Sequence, residues 1–324
     1  MATTLNGMTG GGTMLALVDL VGIINININP VLIDTGGFEL TWHGLFTAVG
    51  IALGVWLSVR LARRARISED DAMSIAVVSV LSGIIGARLL WVIEHTDQIG
   101  SVGHIFALTD GGISIYGAMI GGVLGGFLYV TFFKPDFPKW VALDVAAPGM
   151  ILGQAVGRFG DTINGEHFAN ASDLPWAFRY THPLTDGPWS APGIDDWYRG
   201  SRGLEGEEPV AIHPVAGGYE PILDFMILGG LFLLRRMGVG AGWGFTFYVF
   251  GYAAVRGLLS LLRTDEAAIA GALSVPQLLA ILTGAAAVWM ALHLRRHRQA
   301  PVPTGAVLER HTHRGSRRGG MGRG

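Results

Sequence analysis

Apolar residues along this chain gather into seven runs of about membrane-spanning length, where a fold built around its own core would scatter them. The runs cover roughly Leu40 to Val59, Met73 to Ile93, Gly112 to Phe133, Trp140 to Gly157, Tyr219 to Leu234, Trp243 to Leu262 and Pro276 to His293. Upstream of them the Ile/Asn alternation from Ile24 to Asn29 has period two, which suits an interfacial strand or amphipathic arm better than a spanning helix. Asp19, Asn25, Asn27 and Asn29 interrupt the stretch from Met14 to Ile33, and no Lys or Arg precedes Arg60, so it lacks the basic start of a secretory signal. The pattern predicts an all-α polytopic membrane protein with seven transmembrane helices. Residues 1–37 form an external N-terminal arm, residues 38–300 the helical domain with an external head at 167–212, and residues 301–324 a disordered, basic tail.

Composition agrees with this reading. Of 324 residues 50% are hydrophobic and 15% charged, against about 25% charged in an average soluble domain, and the mean hydropathy is +0.43. With no cysteine, a disulfide framework, thiolate metal sites and an enzyme thiolate are excluded, so sulfur chemistry would need the substrate's sulfur. A basic stripe suited to nucleic acid is absent. Charge becomes informative once sorted by side, because Lys and Arg are retained on the cytoplasmic face. Arg60, Arg63, Arg64 and Arg66 follow the first run, Lys134 and Lys139 the third, Arg235 and Arg236 the fifth, and Arg295, Arg296, Arg298 and the tail arginines the seventh. The other side carries Arg179, Arg199 and Arg202. The N-terminus is therefore expected outside and the C-terminus in the cytoplasm.

A charge in hydrocarbon costs about 3 kcal/mol or more, so intramembrane charges default to a functional hypothesis. Gly157-Arg158-Phe159-Gly160-Asp161-Thr162-Ile163-Asn164-Gly165-Glu166 closes the fourth run and brings Arg158, Asp161, Asn164 and Glu166 toward the outer surface. Tyr252 and Arg256 lie one turn apart on the sixth run, at about the depth of Arg158. Two arginines with few local carboxylates make an anion site, and the abundant anion there is a lipid phosphate. The alternative is structural: Arg158 paired with Asp161 or Glu166, and Arg256 with Asp265. Gly117, Gly121, Gly122, Gly125 and Gly126 on the third run are read as close helix packing. His167, His182 and His213 match no metal-ligand spacing and are read as solvated loop histidines.

The signature from Asp144 to Glu166 resembles that of the bacterial prolipoprotein diacylglyceryl transferase family. Trp42-His43-Gly44-Leu45, Asp110-Gly111-Gly112-Ile113-Ser114-Ile115-Tyr116-Gly117, His213-Pro214 with Tyr219-Glu220, and Gly251-Tyr252 with Arg256, Arg263 and Asp265 agree with it in order and spacing. The resemblance implies a multi-pass transferase of the bacterial inner (plasma) membrane. It would move the diacylglyceryl group of phosphatidylglycerol to the lipobox cysteine of a prolipoprotein and release glycerol phosphate, with no cofactor. It implies that His43, Tyr116, Arg158, Glu166 and Arg256 carry the chemistry, and that Arg88, Arg158, Asp161, Asn164, Tyr252 and Arg256 hold the lipid.

Several positions depart from the family pattern. His43 stands where Tyr is usual and Tyr116 where His is usual, so one cavity could keep an exchanged His/Tyr pair, or His43 could be an interfacial residue. Asp161 replaces Asn, either pairing with Arg158 or serving as a base beside the other candidates, His43 and Glu166. Ser260 replaces a glutamate one turn after Arg256 and leaves that arginine without its usual partner. A homologue that binds or moves anionic lipid without transfer is the rival reading.

Overall fold

The computed structural model describes residues 22–36, 39–96, 103, 114–165, 167–180, 182, 211–264, 266, 268–269 and 273–303. Seven long helices occur among them: α1 (Trp42–Arg64), α2 (Glu69–Glu94), α3 (Ile115–Phe133), α4 (Lys139–Asn164), α5 (Glu220–Met237), α6 (Trp243–Ser260) and α7 (Val275–Arg296). Three two-stranded ribbons complete the described elements: β1 (Ile24–Ile26) with β4 (Phe178–Tyr180), β2 (Val31–Asp34) with β3 (Glu39–Thr41), and β5 (Ala268–Ile269) with β6 (Leu273–Ser274).

Local chemistry sets the helix ends. Thr41 Oγ1 accepts from Gly44 N at 3.0 Å at the start of α1, and Ser68 Oγ accepts from Asp71 N at 3.1 Å at the start of α2. Glu69, Asp70 and Asp71 place negative charge on the first turn of α2, where the helix dipole favours it. α4 ends at Gly165, whose φ of +69° is the left-handed geometry a helix C-terminus asks of glycine, and whose N–H returns to Asp161 O at 3.0 Å.

Six helical segments are long and apolar enough to cross a membrane: Trp42–Arg64, Glu69–Ile93, Tyr116–Phe133, Lys139–Asn164, Val215–Met237 and Val275–Arg296. Their faces carry exposed Phe132, Phe133, Met226, Trp289 and Leu282, as a lipid-facing surface requires. The protein is thus a helical polytopic membrane protein. α6 is not among the six, because its tyrosines, glycines and Arg256 dilute its apolar content. Two expected boundaries move. The fourth helix runs on from Gly157 to Asn164, so Arg158, Asp161 and Asn164 lie on helix beyond the expected end of the run. The fifth span begins earlier, through a π-helical turn at Val215–Tyr219 that leads into α5.

Contacts divide the chain into two compact units, the first formed by 1–50, 154–223 and 255–277 and the second by 51–153, 224–254 and 278–324. In the first, the period-two stretch forms a strand at Ile24–Ile26, one of the two forms expected for it; β1 pairs in parallel with β4 and Ile26 is its buried side chain. Ala169, Ile212, Val215 and Leu259 form its apolar core. In the second, a core of Leu57, Leu61, Ala62, Ala65, Ile67 and Val145 joins α1 to α4. Gly54 and Gly149 face each other there so closely that a Cβ on Gly149 would lie 2.3 Å from Gly54 O. α2 and α3 meet along Gly86, Gly117 and Gly121, where a Cβ on Gly117 would lie 2.3 Å from Gly86 O. That contact supports the packing role read for the glycines of α3.

Candidate functional site

The first unit holds a buried chain of ion pairs. Arg158 on α4 gives one N–H to Asp161, at 2.6 Å one turn along the helix, and one to Glu220 at the start of α5, also at 2.6 Å. Arg256 on α6 lies 3.8 Å from the other oxygen of Glu220 and donates to Glu266 at 3.1 Å. Glu266 also pairs with Arg263 at 3.1 Å, and Arg263 donates to His167 Nδ1 at 2.9 Å. His167 Nε2 turns back toward Asp161 Oδ2 at 3.5 Å, which closes a ring of charged side chains. Glu220 is 0% exposed, Asp161 4%, Arg256 5% and Arg158 9%, so the ring is a buried one.

This corrects the expected electrostatics. Arg158, Arg256 and Arg263 are faced by Asp161, Glu220 and Glu266, so the arginines do not stand among few carboxylates. The structural pairing of Arg158 with Asp161 is present, whereas its other expected partner, Glu166, and the expected partner of Arg256, Asp265, lie outside the described residues. Buried charges persist only when paired and hydrogen-bonded, and here each guanidinium meets carboxylate oxygen. An arriving phosphate would exchange one charge-assisted bond for another at an arginine already fixed in place.

His43, at the start of α1, is one third exposed and its Nδ1 lies 2.6 Å from Asp161 Oδ1. A carboxylate only accepts, so Nδ1 carries the proton, and the neutral ring presents Nε2 as the acceptor. The two departures His43 and Asp161 therefore touch each other. The anticipated exchange partner, Tyr116, is buried in the second unit. Asp161 takes the first alternative set out for it, as partner of Arg158, and it also bonds His43, another of the base candidates. Two glycines hold this corner: a Cβ on Gly160 would lie 2.5 Å from His43 Cα, and one on Gly217 would lie 2.4 Å from Thr162 Oγ1. Thr162 Oγ1 in turn meets Gly217 O at 3.1 Å.

Asn164 is buried in the first unit. Arg88, buried in the second unit, stacks its guanidinium 4.7 Å above the Trp91 ring, and Tyr252, buried in the same unit, stacks on Tyr248 with centroids 6.4 Å apart. The sequence reading missed Glu220, Glu266, Arg263 and His167 as site residues. His167 is no solvated loop histidine but a member of the ring, and His213 Nδ1 lies 3.3 Å from Tyr219 Oη, which also accepts from Trp176 Nε1 at 3.0 Å. Glu220 carried a usable signal, a carboxylate at the head of an apolar run. Among the described residues, no cluster of three His, Cys, Asp or Glu side chains is arranged to hold a metal ion. A shallow pocket beside the ring is lined by Asp161, His167, Tyr180, His213, Pro214 and Gly217.

Comparison with known proteins places this geometry. The family model described as prolipoprotein diacylglyceryl transferase matches residues 30–293. The phosphatidylglycerol–prolipoprotein diacylglyceryl transferase of Clostridioides difficile is 31% identical over 247 residues, 76% of this chain and 87% of the relative. The enzymes of the same name from Synechococcus elongatus and Acaryochloris marina are 31% identical over 275 residues and 32% identical over 262 residues, covering 83% and 78% of this chain and 88% and 86% of the relatives. With its match to the family model reaching from β2 to α7, and so including the whole ion-pair ring, this chain belongs to the prolipoprotein diacylglyceryl transferase family.

Proposed function

We propose that this protein transfers the diacylglyceryl group of phosphatidylglycerol to the lipobox cysteine thiol of a bacterial prolipoprotein, forming a thioether and releasing glycerol phosphate. The observation that carries the reading is the buried pair Arg158 and Arg256, joined through Glu220, beside a histidine oriented by Asp161. The substrate thiol, with a pKa of about 8.5 in water, needs a base at neutral pH. His43 Nε2 takes its proton while Asp161 stabilises the resulting imidazolium. The thiolate sulfur then forms a bond to a glycerol carbon, and the bond from that carbon to the phosphate oxygen breaks. The bonding pair leaves with glycerol phosphate, whose added negative charge Arg158 and Arg256 stabilise; one such donor is worth about 3 kcal/mol in other enzymes. The proton on His43 is passed to the departing phosphate, which restores the base. From the family resemblance the proposal keeps Tyr116 and Glu166 as catalytic candidates and Asn164, Tyr252 and Arg88 as lipid-binding candidates.

The proposed topology has seven spans, α6 included, with the N-terminus outside and the C-terminus in the cytoplasm. It rests on the basic residues that close α1, α5 and α7: Arg63 and Arg64, Arg235 and Arg236, and His293, Arg295 and Arg296. The ring and the 167–212 head then face the outer leaflet of the inner membrane, where an exported cysteine arrives; residues 1–37 form an outer arm and 301–324 a cytoplasmic tail. The deciding assay incubates purified protein with phosphatidylglycerol vesicles and a lipobox peptide and reads the peptide mass. A diacylglyceryl adduct formed by the wild type and lost in Arg158→Ala is the expected result. Folded wild type that yields no adduct, yet binds the vesicles' lipid, would overturn transfer in favour of lipid binding.

A further inference from the structure

Ser260 would leave Arg256 unsupported from its own helix, yet Arg256 is held. Besides Glu220 on α5, a carboxylate from the loop after α6 holds it. The Glu266 side chain is 6% exposed and uses both oxygens: Oε1 lies 3.1 Å from Arg256 and 3.1 Å from Arg263, while Oε2 accepts from Ser260 Oγ and from Ser274 Oγ, the latter at 2.8 Å. These partners are fixed at three different places in the fold. Arg256 and Ser260 stand four residues apart on one face of α6. Arg263 is tied to the first residues of the 167–212 segment through the Ala169–Arg263 bridge. Ser274 is the N-terminal cap of α7, where its N–H reaches Gln277 Oε1 at 3.1 Å and its Oγ accepts from Gln277 N at 3.4 Å, the reciprocal arrangement of a capping box. A carboxylate bonded to two guanidinium groups and two hydroxyls, each from a rigid point, has one available geometry. It passes that geometry on to Arg256.

We infer that Glu266 is a positioning residue for the reaction: it sets the Arg256 guanidinium against the lipid phosphate, with Ser260 and Ser274 fixing its own orientation. This rests on Arg256 binding phosphate, as proposed above. The two serines matter because a carboxylate held by arginines alone could swing between them. The hydroxyls pin Oε2 and leave Oε1 to the guanidinium groups. Because Ser260 is one turn from Arg256 and touches Glu266, a carboxylate supplied from position 260 can reach the same space.

The test compares wild type, Glu266→Gln, Glu266→Ser, Ser260→Glu and the double variant Ser260→Glu/Glu266→Ser, all full-length in detergent or vesicles. Two quantities are read for each: initial transfer rate against phosphatidylglycerol and peptide concentration, and equilibrium binding of phosphatidylglycerol by native mass spectrometry. A misplacement of about 1 Å in a catalytic group costs about 100-fold in rate. Glu266→Gln and Glu266→Ser are therefore expected to lose about 100-fold in kcat/KM for the lipid, with peptide KM unchanged and lipid binding weakened. The double variant should recover lipid binding and most of the rate, while Ser260→Glu alone crowds two carboxylates together and does not. A purely structural glutamate would instead lower folded yield in Glu266→Ser and in the double variant alike, without separating lipid from peptide kinetics, and that result overturns the proposal. The lipid-binding arm decides even if transfer itself fails: unchanged binding in Glu266→Gln rejects the positioning role, and weakened binding rescued in the double variant supports it.

Discussion

The contact between α2 and α3 and the ion-pair ring of the first unit solve the same problem with opposite chemistry. Along α2 and α3, Gly86, Gly117 and Gly121 bring two backbones together with nothing between them, and Ser82 and Ser79 fill the space at Gly125 and Gly126. In the ring, six ionised side chains and one histidine carry the contact between α4, α5 and α6. Lipid tails are as apolar as leucine, so helices in a membrane gain little from hydrophobic burial against one another and rely on close packing or polar bonds. Small residues meet that need cheaply. A ring of charges meets it only with desolvation on every member, which offers no structural advantage over glycine. The cost is intelligible if the charges are there for a substrate.

Removing a member from each region should therefore have different signatures. The largest effect is expected from Glu220→Leu, which leaves Arg158 and Arg256 without their shared carboxylate. Breaking a buried pair from one side costs about 3–5 kcal/mol, so thermal unfolding in detergent should drop sharply and transfer should vanish with it. His43→Phe comes next and should behave differently: transfer falls about 100-fold or more, equivalent to about 2.7 kcal/mol at the transition state, while the unfolding temperature stays close to wild type. Near-normal turnover of that variant would remove His43 from the mechanism. Asp161→Asn combined with His43→Phe should cost little beyond His43→Phe alone, since residues acting as a unit are non-additive.

The glycine contact should show the converse. A Cβ at Gly117 meets the backbone oxygen of Gly86, which cannot move aside without moving the helix. Gly117→Val is expected to destabilise by about 1–3 kcal/mol, leaving the turnover of each folded molecule unchanged. Gly126→Ala meets closely the hydroxyl of Ser79, a group that can rotate away, with its next neighbour, Ile75 Cγ2, at an ordinary 3.6 Å, so a loss under about 1 kcal/mol is expected in the same unfolding measurement. A rate loss at Gly126 with intact stability would mean that the two regions are not divided as described.

The same contrast explains what the sequence made legible. Apolar runs declare themselves within a few positions, so the helices could be read with only their ends displaced. Arg158 and Asp161, three residues apart, were readable as a pair for the same reason. His43 and Asp161 are 118 residues apart and Arg158 and Glu220 are 62 apart, and no local spacing reports a bond across that distance. Glu266 was the hardest to anticipate. It sits in a short polar loop without periodicity, and only the arrangement of α6 and α7 turns it toward Arg256. The departures at His43, Asp161 and Ser260 looked like separate losses in the linear chain. In three dimensions the first two form one bonded pair, and the third is matched by a carboxylate from the loop.

The parallel pairing of β1 with β4 also sets a timetable. Ile24 and its partner Phe178 are 154 positions apart, and synthesis at about 5–20 residues per second separates their emergence by roughly 8–30 s. During that interval several helices must enter the bilayer while the first strand waits with its hydrogen-bonding edge uncovered. A nascent chain halted before Phe178 would thus display a strand with no partner, a species open to proteases and to mispairing, whereas one halted after Tyr180 would have closed it.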